Sequence, residues 1–200
     1  MDLQLIKDQI PYYLTQQAAE GLIRELENYS EKTDFYTSRF PDDFLQGDGW
    51  KGFQVFDFQT NQGRLVRGIV ISNSCDIDPE NPRDIPSKVS FVPIFKLSNL
   101  QNIFEKTGMD PKILESKIRA IREQRNTSFF FLPCQGIVED DYVAWLSDIH
   151  SMPMQKFLDG ASRSKLFSLN LTGFYLFLLK LSIHFCRFHE NLDRSPANLH

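Results

Sequence analysis

Residues 65 to 73 read Leu-Val-Arg-Gly-Ile-Val-Ile-Ser-Asn, and no other segment constrains the fold as strongly. Val66, Ile69, Val70 and Ile71 branch at Cβ, which stiffens the side chain and suits a pleated surface, so this run is typical of a buried strand. The chain around it has the punctuation of a sheet. Gln59 to Gly63 is turn chemistry, and Trp50 to Phe58 before it reads as an aromatic-rich strand opened by Gly47-Asp48-Gly49. Asp78 to Pro86 carries three prolines and reads as a loop. Lys88 to Phe95 is a third strand, in which Pro93, having no N–H to donate, marks an edge or a bulge.

Helical signals bracket and interrupt this β-core. From Leu14 to Tyr29 the apolar positions Leu14, Ala18, Leu22, Leu26 and Tyr29 share one helical face. Residues 30 to 43 look like a linker around Phe35, Tyr36 and Phe40. Asp110-Pro111 combines a cap with a residue suited to the first helical position, predicting a helix to about Arg125. Ser128 to Leu132 and Tyr142 to Leu146 are further strands. Ile149 to Leu158 continues the last of these and ends in a short helical turn. A final helix, apolar on most sides, is expected from Leu169 to about Glu190 and must be buried. The expected organisation is an N-terminal helical extension over residues 1–45, then one domain over 46–200 with a helical insertion at about 97–126.

Composition limits the function. Eighteen Phe point to a core of flat, stiff side chains. Residues 1 to 63 hold five basic and eleven acidic side chains, a balance of −6, and the remainder balances at +2. A dedicated nucleic-acid domain is usually strongly basic, so any such surface here must be local. Three widely spaced cysteines, Cys75, Cys134 and Cys186, argue against a disulfide framework and fit a reducing cytoplasm. Lys180 and His184 interrupt the most apolar stretch, which falls short of the roughly 20 residues of a spanning helix, so no membrane partner is expected.

Four phrases follow one another along the chain: Gly47-Asp48 followed by Val55-Phe56-Asp57-Phe58; Arg67-Gly68 leading to Ile69-Val70-Ile71-Ser72-Asn73; Phe91-Val92-Pro93-Ile94; and Tyr142 to His150 followed by Lys156-Phe157-Leu158. Taken in that order, they resemble the PemK/MazF family of bacterial toxin ribonucleases. The resemblance spans roughly residues 46 to 190. It implies an α+β fold built on a small SH3-like β-barrel with an N-terminal helix, an inserted helix and a buried C-terminal helix. It also implies cytoplasmic, metal-independent cleavage of single-stranded RNA without a cofactor. Beyond RNA, the partners in view are an antitoxin-like or other protein and a second copy of the chain. Arg67 is the positional match of a family catalytic arginine, although Gly68 stands where the family has Pro. The phosphate-binding Thr or Ser expected two residues after the third-strand Pro is replaced by Phe95.

On these residues, Arg67, permanently charged, would stabilise the phosphorane, with Asp76 or Ser98 handling protons. Arg64 and Lys96, together with Lys112, Arg119 and Arg122 on the insertion, would bind the RNA backbone. Arg67 read structurally is instead a strand-edge residue paired to Asp57 or Asp76, and the insertion's charges are a solvated face. Ser74-Cys75-Asp76 admits a nucleophilic thiol or, more plainly, a strand-end turn. His184, Cys186 and His189 do not share a helical face, so no metal site is expected. The residues also admit a barrel without catalysis, serving as a protein-interaction module.

Overall fold

The computed structural model describes residues 33–78, 80, 81 and 84–185. The expected helix at 14–29, along with Cys186 and His189, lies outside them. Within the described residues an antiparallel sheet of eight strands carries five helices: β1 (Tyr36–Thr37), β2 (Gly49–Asp57), β3 (Gln62–Val70), α1 (Ser74–Ile77), β4 (Lys88–Lys96), α2 (Leu97–Lys106), α3 (Pro111–Arg122), β5 (Phe129–Leu132), β6 (Tyr142–Trp145), β7 (His150–Pro153), α4 (Met154–Leu158), β8 (Ser164–Leu169) and α5 (Leu171–Phe185). Strands pair in the order β1-β8-β2-β3-β4-β6-β5, with β7 also on β4.

The class is α+β, as expected, but backbone pairing does not close the sheet into a barrel. β1 and β5 are its two ends, and no ladder joins them among the described residues. Side chains span the gap. Tyr36 Oη donates to the Pro133 carbonyl at 2.8 Å, and Gln135 Nε2 donates to the Thr33 carbonyl at 2.9 Å. Phe35, fully buried, stacks on Phe130 with centroids 5.9 Å apart. Residues 33–37, assigned above to a linker, thus contribute to the core.

β8 was not expected at all; the sequence reading ran the last helix from residue 169. Instead β8 is an interior strand between β1 and β2. Asn170 then breaks the strand: its Oδ1 accepts the Gly173 N–H, capping α5. The insertion is also two helices rather than one, packed as a hairpin through Leu97, Leu100 and Ile121 against Phe131 and Val143. Asp110 caps α3 by accepting from the amides of Lys112 and Ile113.

The phenylalanines stack at the centre. Phe53 lies parallel to Phe91 at 4.1 Å and to Phe157 at 4.5 Å. Gly68 makes room for this: a Cβ there would come within 2.7 Å of Phe53 and 2.9 Å of Phe91. Each buried Phe contributes roughly 1.5–3 kcal/mol by leaving water.

Two departures from ladder regularity shape the surface. β3 pairs with β4 only from Gly68–Pro93 to Val70–Phe91, whereas β3 pairs with β2 along its whole length. Residues 62–67 of β3 therefore splay away from residues 94–96 of β4, which pair with β6 instead. Proline at position 93 sits at this break, which fits the expected irregularity. On the other side of β4, Ala144 opposes Ile94 and His150 opposes Phe91. Five residues, 145–149, thus lie between these pairs on one side and two, 92 and 93, on the other, and a short segment is extruded between β6 and β7.

Candidate nucleic-acid interface

The splay between β3 and β4 opens a groove of about 470 Å³. The β2–β3 register places Arg67 opposite Lys51 of β2, and Arg64 opposite Val55. All three basic residues line the groove, and Lys96 closes it from the end of β4. Asn99 from the first turn of α2 and Ser162 from the α4–β8 connection supply neutral polar groups. Leu65 and Phe95 supply the apolar part of the wall.

Two of the cations are held in place. Arg67 Nη1 donates to Tyr142 Oη at 3.1 Å, with the guanidinium carbon 5.6 Å from that ring's centroid. A phenol oxygen that accepts from Arg67 keeps its own O–H to give. Lys96 pairs with Asp140 at 2.6 Å. The hydrogen bond and the charge of Asp140 raise the Lys96 ammonium above its ordinary value of 10.5, against a smaller opposing effect of Arg67. Lys96 is therefore a fixed positive charge at neutral pH rather than a base.

The structure thus brings Arg64, Arg67 and Lys96 together and leaves the other expected site residues elsewhere. Arg67 pairs with neither Asp57 nor Asp76 but with Tyr142. Asp76 is exposed on α1 and does not line the groove; nor does Ser98, exposed on α2. On α3, Arg119 pairs with Glu115 at 2.9 Å within the helix. Arg122 binds Asp141 at 2.6 Å and lies over the Phe131 ring, bracing the β5–β6 connection. Lys112 is exposed in the first turn of α3, away from the groove walls. Sequence reasoning missed Lys51 and Tyr142, whose positions depend on cross-strand register. The only usable signal was alternation along β2, which the bulge between Lys51 and Phe53 obscures.

Chemically, the groove is a cradle for an anion with apolar walls. Its lining contains no carboxylate, histidine or cysteine. Among the described residues no group of three His, Cys, Asp or Glu is placed to hold a metal ion, and no helix is long and apolar enough to cross a membrane. No protein-family model matches the chain, and a search of curated proteins finds no match.

Proposed function

We propose that this chain is a divergent, toxin- or defence-type protein of PemK/MazF-like, SH3-like barrel character that takes single-stranded RNA into the β3–β4 groove and cleaves it without a metal. One observation carries the reading: Lys51, Arg64, Arg67 and Lys96, drawn from three strands, line a single opening between splayed strands. Two of them are braced by Tyr142 and Asp140. Preorganised cations act on the charge that develops as a 2′-hydroxyl attacks the neighbouring phosphorus. In this scheme Arg67 faces the phosphorane, and Tyr142 hydrogen-bonds a phosphate oxygen. The Asp140 carboxylate, outside the groove lining but paired with Lys96, would take the 2′-proton as the P–O2′ bond forms and the P–O5′ bond breaks, the 5′-oxygen leaving with a proton from water.

The test is incubation of the full chain with a mixed single-stranded RNA pool in the presence of a chelator. Cleavage that Arg67→Ala abolishes at unchanged melting temperature supports the reading. An intact pool that the protein also fails to bind overturns it.

A second reading, a catalytically inactive interaction module, is favoured by the groove's lack of any carboxylate, histidine or thiol in its lining. Under it the chain leaves RNA intact and captures a defined protein partner through surfaces independent of Arg67.

A further inference from the structure

A second cavity, of about 670 Å³, shares no lining residue with the groove. Its apolar floor is Trp50 and Phe44, whose rings meet at 5.2 Å. The exposed Arg163 lies 5.8 Å over Trp50 and 6.0 Å over Phe157, so both rings attract its guanidinium. That guanidinium has no carboxylate partner among the described residues. Lys165, by contrast, is fully engaged: its ammonium bonds the carbonyls of Phe40 and Asp43 and, at 2.8 Å, the buried carboxylate of Asp48.

Two kinds of unspent polarity meet here. The indole N–H of Trp50, a residue 7% exposed, is buried with no acceptor. That nitrogen has almost no accessible surface, so the donor a ligand can reach here is the Arg163 guanidinium, which asks for oxygen acceptors. Around them stand the carboxylates of Asp42, Asp43, Asp78 and Glu80, none in an ion pair among the described residues. Those four ask for positive charge. A free anion meets repulsion from them, and a bare cation leaves the guanidinium unanswered.

We propose that this cavity binds a basic peptide segment of a partner protein. Backbone carbonyls accept from Arg163, the peptide's apolar stems lie on Trp50 and Phe44, and Lys or Arg side chains reach the acidic rim. The Ser74-Cys75 step of the Ser-Cys-Asp motif then has a place: both residues line the cavity, Cys75 at its exposed side, while the Ser74 hydroxyl accepts the Gln46 amide at 2.9 Å.

The experiment uses the full chain carrying Trp145→Phe, which leaves Trp50 as the sole tryptophan. Emission is followed during titration with acetyl-Lys-Lys-Lys-amide, and separately with spermidine and acetyl-Glu-Glu-Glu-amide. The expected result is a saturable change with the lysine peptide, weakened about tenfold by Arg163→Ala at unchanged melting temperature. A similar loss is expected for the Asp42→Asn, Asp78→Asn double variant. Equal binding of spermidine would reduce the site to diffuse attraction and overturn the proposal. So would binding of the glutamate peptide, no saturable change, or indifference to Arg163→Ala. None of these outcomes bears on RNA binding in the groove.

Discussion

The phenol of Tyr36 hydrogen-bonds the carbonyl of Pro133 at 2.8 Å across a chain separation of 97 residues, and so ties one end of the sheet to the other. Backbone pairing stops short of this seam, so a side chain does there what a ladder does elsewhere. Tyr36→Phe keeps the ring that lies 5.2 Å from Phe167 and removes the hydroxyl that bonds Pro133. The expected cost is about 1 kcal/mol, read as a fall in melting temperature of roughly 2–4 °C.

Gly68 is where the aromatic stack and the β3–β4 ladder meet. An added methyl would press on Phe53 and Phe91, both fully buried. Gly68→Ala is expected to destabilise the protein by about 1–3 kcal/mol through overpacking. Urea unfolding with an unchanged slope would assign the loss to the native core rather than to the unfolded chain.

Gln124 substitutes for a missing strand. Its side-chain amide donates to the Phe131 carbonyl at 2.7 Å and accepts the Phe131 N–H at 3.2 Å, satisfying the outer edge of β5. The buried ammonium of Lys180 in turn binds the carbonyls of Gln124 and Asn126 just past the end of α3, where the helix dipole favours a cation. Gln124→Ala would strand two buried backbone groups. A loss of about 2–4 kcal/mol is expected, with faster amide exchange at Phe131 than in β6.

Asp48 gives a pH signature. Burial holds its carboxyl above the ordinary 3.8, more than the hydrogen bonds from Lys165 and the Leu45 amide lower it. The folded chain therefore takes up this proton at a higher pH than the unfolded chain does. The stabilisation from protonation is complete below the unfolded value and lost as pH rises through the folded one. Asp48→Asn, which cannot titrate, should accordingly gain stability relative to the parent as pH is raised from about 4 to 7. Paired denaturant melts across that range measure it; a constant difference would contradict the assignment.

RNA affinity should report the number of engaged cations. Removing Lys51, Arg64, Arg67 or Lys96 singly is expected to reduce the dependence of log affinity on log salt by about 0.7 for a single strand. Lys112→Ala, away from the groove, should leave that slope unchanged. Arg67→Lys should not restore what Arg67→Ala loses, because only a guanidinium bonds Tyr142 and a phosphate in one plane.

What the sequence revealed was local. Leu65 to Asn73 announced β3 through its β-branched residues, and Asp110-Pro111 announced α3 through a cap. Ser164 to Leu169 hid because six residues run almost directly into an apolar helix, with Asn170 as the only punctuation. Gathering Arg64, Arg67 and Lys96 followed from strand order and could be guessed. Lys51 and Tyr142 could not, since their placement depends on a bulge in β2 and on β6 taking the side of β4 away from β3. Asp76 follows the strand that carries Arg67 and Ser98 follows the third strand, yet a turn and a helix carry them away from the groove.

Where β3 and β4 diverge, each exposes backbone that no neighbouring strand covers, and such rims invite a foreign strand to add on. Here positive side chains crowd both rims. The same charges that would draw in a polyanion therefore also keep another copy from stitching itself into the opening. Neutralising them wholesale should increase association between copies, read by light scattering against the parent chain.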